Sequence, residues 1–285
     1  MLPASVFIGL VSYEKSSFPR SQGPAGLAAT IHVALRNSGI GSHQLVNTGN
    51  FFDKHPFPLT PKMARESVRE EIRLESKWCE FLERGGRPGQ LLRLTGRRVQ
   101  FLRDWKKNSQ DRELRRLLNI EYSHVDLYRR AVESRATWAI ILEDDAVGPD
   151  VSDLVSGLLA LAESCTNIKM INLSESFTLD QVGVRHLLGP IEGLSWSGTA
   201  ARAVLGSKKP ATNTVCAIAF RTDFLAEILS DFDSQPIFPV VPIDWKLNAS
   251  LMRLYESGAI GVNECLFIEP APIIQLSMVR DREAK

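Results

Sequence analysis

Apolar residues fall into short unbroken runs, separated by stretches whose apolar positions recur every three to four residues. Ser5-Val-Phe-Ile-Gly-Leu-Val-Ser12 is one such run, and 138–142 (Trp-Ala-Ile-Ile-Leu), 168–173, 215–220 and 259–267 are others. Runs of this length, rich in β-branched residues and bounded by polar positions, predict strands buried on both faces of a sheet. Ser42 to Val46 predicts one more strand. The intervening periods predict helices. Gly23-Pro24 leads into one at about 25–38, with Leu27, Ile31, Ala34 and Leu35 on one face and Gly39 as stop signal. Thr60-Pro61 supplies an N-cap and a first helical residue for a helix reaching about Arg84. Glu121 to Ser134 carries Tyr122, Val125, Tyr128 and Val132 on one stripe and feeds directly into the 138–142 strand. Ser152 is placed to cap a short helix through Leu159, and Thr222 to cap one through Phe232. Asp244 opens a helix ended by Gly258. Strand and helix alternate, which predicts an α/β fold. The Gly- and Ser-rich stretch 174–210 has no clear period and reads as a functional loop or lid.

A chain of 285 residues with 44% hydrophobic residues can bury one large core. A single domain, with a helical insertion at about 60–118, fits better than two units. The net charge of +1 gives no global attraction to nucleic acid. The charge is unevenly spread, however. From Arg84 to Arg116 there are eleven Lys/Arg against three acids, a local excess of +8 that leaves −7 for the rest. Such a basic insertion is either a solvated helical face or a contact for an anionic acceptor or anionic membrane surface. Cys79, Cys165, Cys216 and Cys265 form no CxxC pair, and no signal peptide precedes the first strand. They read as reduced thiols of a cytoplasmic protein, at most peripheral to the inner face of the membrane. No G-x-G-x-x-G follows the first strand, which counts against a dinucleotide site.

Chemistry concentrates where the 138–142 strand ends in Glu143-Asp144-Asp145. Three adjacent carboxylates repel one another and resist desolvation, unless they face water or cap a helix. A divalent cation compensates them, because Mg²⁺ and Mn²⁺ prefer carboxylate oxygens and keep positions open for phosphates. The crevice beyond the carboxyl ends of strands is also where open α/β sheets bind ligands. Alternation along a strand would send Glu143 and Asp145 to one side and Asp144 to the other.

Four ordered segments resemble the glycosyltransferases of the GT-A fold, most closely the lipooligosaccharide-type family 25 enzymes. They are Ser123-His124 at a helix, Ile140 to Ala146 as the acidic strand, Asn213 to Leu229 as a strand–helix unit, and Pro242-Ile243-Asp244 followed by Pro272-Ile-Ile-Gln275-Leu-Ser277. The likeness covers about residues 119–280 and the first strand, where Gly9-Leu10-Val11-Ser12 stands in place of the family's Asn-Leu-x-Arg. It implies a Mn²⁺- or Mg²⁺-dependent transfer from a nucleotide-sugar donor, UDP-sugar favoured, to a saccharide or lipid-linked acceptor in cell-surface glycan (lipopolysaccharide) synthesis. By this resemblance Asp145 holds the metal. Glu143 serves metal or ribose, and Asp144 assists. Val11, Ser12, Arg20 and Ser123 line the nucleotide. An inverting member needs a carboxylate to take the acceptor's proton, for which Asp244 is the first candidate and Glu175 the second. His124 would hold the loop behind the acids. Trp196 and Trp245 would either stack on sugar or pack in the core. The competing readings are a metal-dependent phosphotransferase or hydrolase, and a binding protein that has lost its chemistry and docks through the basic insertion.

Overall fold

The computed structural model describes residues 5–12, 24–47, 51, 60–83, 111–148, 150–164, 167–235 and 241–276. The first apolar run forms β1 (Ser5–Val11), buried from Val6 onward. It lies between β2 (Gly41–Asn47) and β3 (Trp138–Glu143), both parallel to it, with Leu10 level with Leu142 and Val11 level with Glu143. These belong to an eight-stranded mixed sheet of order β2-β1-β3-β9-β5-β10-β8-β7. The remaining members are β5 (Met170–Asn172), β7 (Leu188–Pro190), β8 (Ala203–Ser207), β9 (Ala217–Arg221) and β10 (Cys265–Glu269). β9 runs antiparallel between β3 and β5. A second, three-stranded sheet has the order β4-β11-β6, built from Ala146–Val147, Ile273–Gln275 and Ser174–Glu175.

Seven helices among the described residues flank the sheet: α1 (Pro24–Asn37), α2 (Pro61–Phe81), α3 (Asp111–Glu133), α4 (Val151–Ser164), α5 (Leu179–Val182), α6 (Thr222–Ser234) and α7 (Ile243–Glu256). Strand alternation divides the core between the two faces. Phe7, Ala139, Ile141 and Phe220 pack under α2, α3, α6 and α7. Val6, Ile8, Leu10, Ile140 and Leu142 pack under α1 and α4. Gly9 permits the close approach of α3 to β1, since a Cβ there would meet Ile141 Cδ1 at 2.8 Å and Leu127 Cδ1 at 3.3 Å. This is a Rossmann-like α/β arrangement, as the alternation of strands and helices predicts. No helix among the described residues is long and apolar enough to cross a membrane.

Several local expectations are corrected. The stretch 174–210 is no free loop, because it supplies β6, α5, β7 and β8. Its remainder is pinned to α4. Asp153 accepts from Trp196 Nε1 (3.1 Å), Ala200 N (2.9 Å) and Arg202 Nε (2.9 Å). Helix α4 begins at Val151, and Asp150 Oδ1, not Ser152, accepts from Asp153 N at 2.9 Å. The Thr222 hydroxyl donates back to the Ala136 carbonyl instead of capping α6. Thr60 does cap α2, accepting from Met63 N. That helix joins the core, with Trp78 edge-on to Trp245 (6.2 Å) and Phe81 to Tyr255 (5.6 Å). Residues 84–110 of the basic stretch lie outside the described residues.

Candidate functional site

From β1 the chain passes to β2 on one side and later to β3 on the other, so the strand order reverses at the β1/β3 boundary. A crevice opens at the carboxyl ends of strands at such a reversal. Val11, Asn47 and Glu143 stand level there. Val11 is buried, and Ser12 N donates to the Asn47 carbonyl at 2.8 Å. Glu143 N donates to the Cys216 carbonyl at 2.8 Å, so the end of β3 is tied to the approach to β9. The chain then turns through Asp144-Asp145 into β4, and Leu276 N donates to the Asp145 carbonyl at 3.0 Å.

This turn brings one ligand atom each of Glu143, Asp145 and Cys216 within 4.8 Å of one another. Glu143 and Asp145 do converge while Asp144 stays out of the group, but a turn achieves it where strand alternation was the expectation. Asp145 is 7% exposed and Glu143 half-buried. Cys216 Sγ lies 3.7 Å from Asp145 Oδ1. Burial first, then the charges of Glu143 and Asp145, push its thiol well above the ordinary range. It therefore stays protonated and donates to Asp145. The donor set is two carboxylates beside a neutral thiol, which fits a hard divalent cation and leaves its other positions to substrate oxygens.

Behind the acids lies a buried polar layer. His124, fully buried on α3, places Nε2 3.1 Å from Glu143 Oε1, and its Nδ1 has no protein partner. Donation from Nε2 fixes the direction of the Glu143 carboxylate. Tyr128, one turn on, packs edge-on to His124 at 5.9 Å, and its buried hydroxyl is also without a partner. Burial, then Asp244 and Glu143, raise the phenol and keep it protonated. Asp244 lies in the first turn of α7, where Pro242 occupies the N-cap position. Its Oδ1 accepts from Val215 N at 2.9 Å. Burial and then the Glu143 charge push Asp244 up to about 6, opposed by the Val215 hydrogen bond and by His124. The structure thus brings Asp244 into electrostatic reach of Glu143 and His124, carried there by the α7 first turn.

The other named residues divide. Ser123 is fully buried and donates to Asn47 Oδ1 at 3.0 Å, while Asn47 Nδ2 donates to Asp126 Oδ2 at 3.0 Å. This chain locks the end of β2 to α3. Glu175 is half-buried on β6, two strands from the acid turn in the small sheet. Arg20 lies outside the described residues. Trp196 is buried with its indole bound to Asp153, and Trp245 packs on Trp78, so both serve packing. Cys216, Asn47 and Tyr128 enter the site without a motif to announce them. Only the pairing of β9 against β3 brings Cys216 to the acids. A cavity of about 250 Å³ between α2, α3, α6 and α7 holds none of these groups, and its cations close on acids, as Lys246 does on Glu121 at 2.5 Å. No known family matches this chain, and neither does any curated protein.

Proposed function

We propose that this protein is a divalent-metal-dependent glycosyltransferase of GT-A type. It would move a sugar from a nucleotide-sugar donor to a saccharide or lipid-linked acceptor in cell-surface glycan synthesis. The observation that carries the reading is the convergence of Glu143 and Asp145 within 4.8 Å at the carboxyl ends of β1 and β3. The resemblance in residues 119–280 to family 25 transferases supports it from the sequence side.

Asp145 and Glu143 would hold Mn²⁺ or Mg²⁺, which supplies positive charge against the diphosphate as it leaves. His124 keeps the Glu143 carboxylate aimed. Val11 and Ser12, at the end of β1, form the floor toward the nucleotide. In the transfer, the acceptor oxygen bonds to the sugar's anomeric carbon as the bond from that carbon to the diphosphate oxygen breaks. The acceptor proton passes to a carboxylate. Asp244, raised to about 6, is ionised in most molecules at pH 7 and still basic enough to accept it. Glu175 is the alternative base, on the acceptor side of the acid turn.

Calorimetry with UDP and Mn²⁺ tests the reading. Wild-type protein takes up UDP only with the metal present, and Asp145→Asn abolishes that dependence. Uptake of neither by the wild type rejects the transferase reading. A screen of nucleotide sugars for Mn²⁺-dependent hydrolysis then identifies the donor without knowledge of the acceptor.

A further inference from the structure

We infer that Ile274, on the small sheet beside the acids, and Phe177, just past the end of β6, form the platform for a neutral sugar ring of the acceptor. This rests on the transferase reading and identifies which surface of that site meets the acceptor. Phe177 is 45% exposed and Ile274 44%, and they are the exposed large apolar side chains among the described residues on the small-sheet side of the acids. Both are held in place. Ile274 sits in the middle strand β11, level with Val147 on β4 and with Glu175 on β6. Residues directly level across strands share a face. Ile274, Val147 and Glu175 therefore form one row on the side of the small sheet away from buried Ile273. Phe177 follows two residues after Glu175, and its carbonyl accepts from Asn213 Nδ2 at 2.9 Å. Asn213 is itself buried.

The placement relative to the acids is fixed by the same strands. β11 pairs with β4 directly after the Asp144-Asp145 turn, and β6 is the next strand over. Two strand spacings put β6, from whose end the chain passes to Phe177, about 10 Å from β4. One donor sugar fills such a gap.

The chemistry of the row selects the occupant. An exposed aromatic face and an aliphatic side chain next to a carboxylate match a pyranose, which has an apolar face and a rim of hydroxyl donors. An acyl chain gains nothing from Glu175, and an acidic sugar is repelled by it. Arg185, which interacts electrostatically with Glu175, is committed to Glu269 through Nη1 at 2.6 Å and Nη2 at 2.5 Å.

Saturation-transfer NMR tests the assignment, with methyl β-glucopyranoside and methyl β-galactopyranoside as probes in the presence of diamagnetic Mg²⁺ and UDP. Wild-type protein saturates the ring protons of at least one probe. Phe177→Ala weakens its apparent affinity about tenfold, and Phe177→Tyr restores it. Calorimetric Mn²⁺–UDP affinity serves as the separate readout and holds in both variants. No saturation of either probe by the wild type, or equal saturation by Phe177→Ala, overturns the platform. Absence of Mn²⁺–UDP binding in the wild type removes the transferase reading instead, whatever the sugars show.

Discussion

Asp244 is the residue where charge, burial and proposed chemistry meet. Its carboxyl sits at about 6 in the folded chain against an ordinary 3.8. A raised acid binds its proton more tightly in the native state, so stability falls as pH rises between these values. Below about 4 there is no cost. Above about 6 the full cost is on the order of 3 kcal/mol. Asp244→Asn keeps an oxygen for Val215 N and removes the charge. In metal-free protein, urea midpoints of this variant should decline less between pH 4.5 and 7 than those of the wild type. Transfer activity, measured as kcat/KM, should fall by roughly 10²- to 10⁴-fold in Asp244→Asn. Much of this was legible in the sequence, since an apolar strand ending in three acids announces a charge that needs a partner. Cys216 and Tyr128 were not legible. A lone cysteine and a lone tyrosine carry no signal until the sheet places them beside Glu143.

At the scale of elements, α4 and the segment 194–202 depend on one carboxylate. Burial pushes Asp153 upward, but hydrogen bonds from Ala200, Arg202 and Trp196 outweigh it and hold the carboxyl below its ordinary range. Arg202, with its side chain only 9% exposed, also donates to the Pro270 carbonyl at 2.6 Å. Asp153→Ala strands this guanidinium and the indole N–H, and should destabilise the protein by roughly 3–5 kcal/mol in chemical denaturation. Gly157→Ala is an independent check. Its Cβ would meet Trp196 Cε2 at 2.2 Å, against a ring that has no room to retreat. A loss of about 1–3 kcal/mol follows. Long elements were readable, because β1, α1, α2 and β3 carry sustained periods or a Thr-Pro start. The α4 cap was misread because Asp150 and Ser152 are both good capping residues, and only the geometry chooses between them. Two-residue strands such as β4 and β6 have no period to read. Their existence depends on β11 arriving from the far end of the chain.

Across the whole molecule, the sequence concentrates +8 within 84–116 and leaves −7 elsewhere. Such a separation favours an oriented approach to an anionic surface, at about 1 kcal/mol per basic residue near it. Charge reversal at Arg97, Arg98, Lys106 and Lys107 should reduce co-flotation with phosphatidylserine vesicles. The wild-type association should itself weaken as salt shortens the screening length from about 10 Å toward 3 Å. Mn²⁺-dependent donor hydrolysis should persist in the charge-reversed variant. The α/β class follows from the alternation of runs, but strand order does not. Nothing local says that β9 turns antiparallel and inserts between β3 and β5. That insertion has a consequence in time. His124 and Glu143 are 19 residues apart, but Asp145 and Cys216 are separated by 71, and Asp244 is anchored through Val215. The acid pair can be made early, within a local helix–strand unit, whereas its surroundings wait for a distant segment to enter the middle of the sheet. With Glu143 and Asp145 holding the metal as proposed, Mn²⁺ uptake during refolding should appear late and in step with closure of the β3–β9 seam, a clock for the last stage of folding.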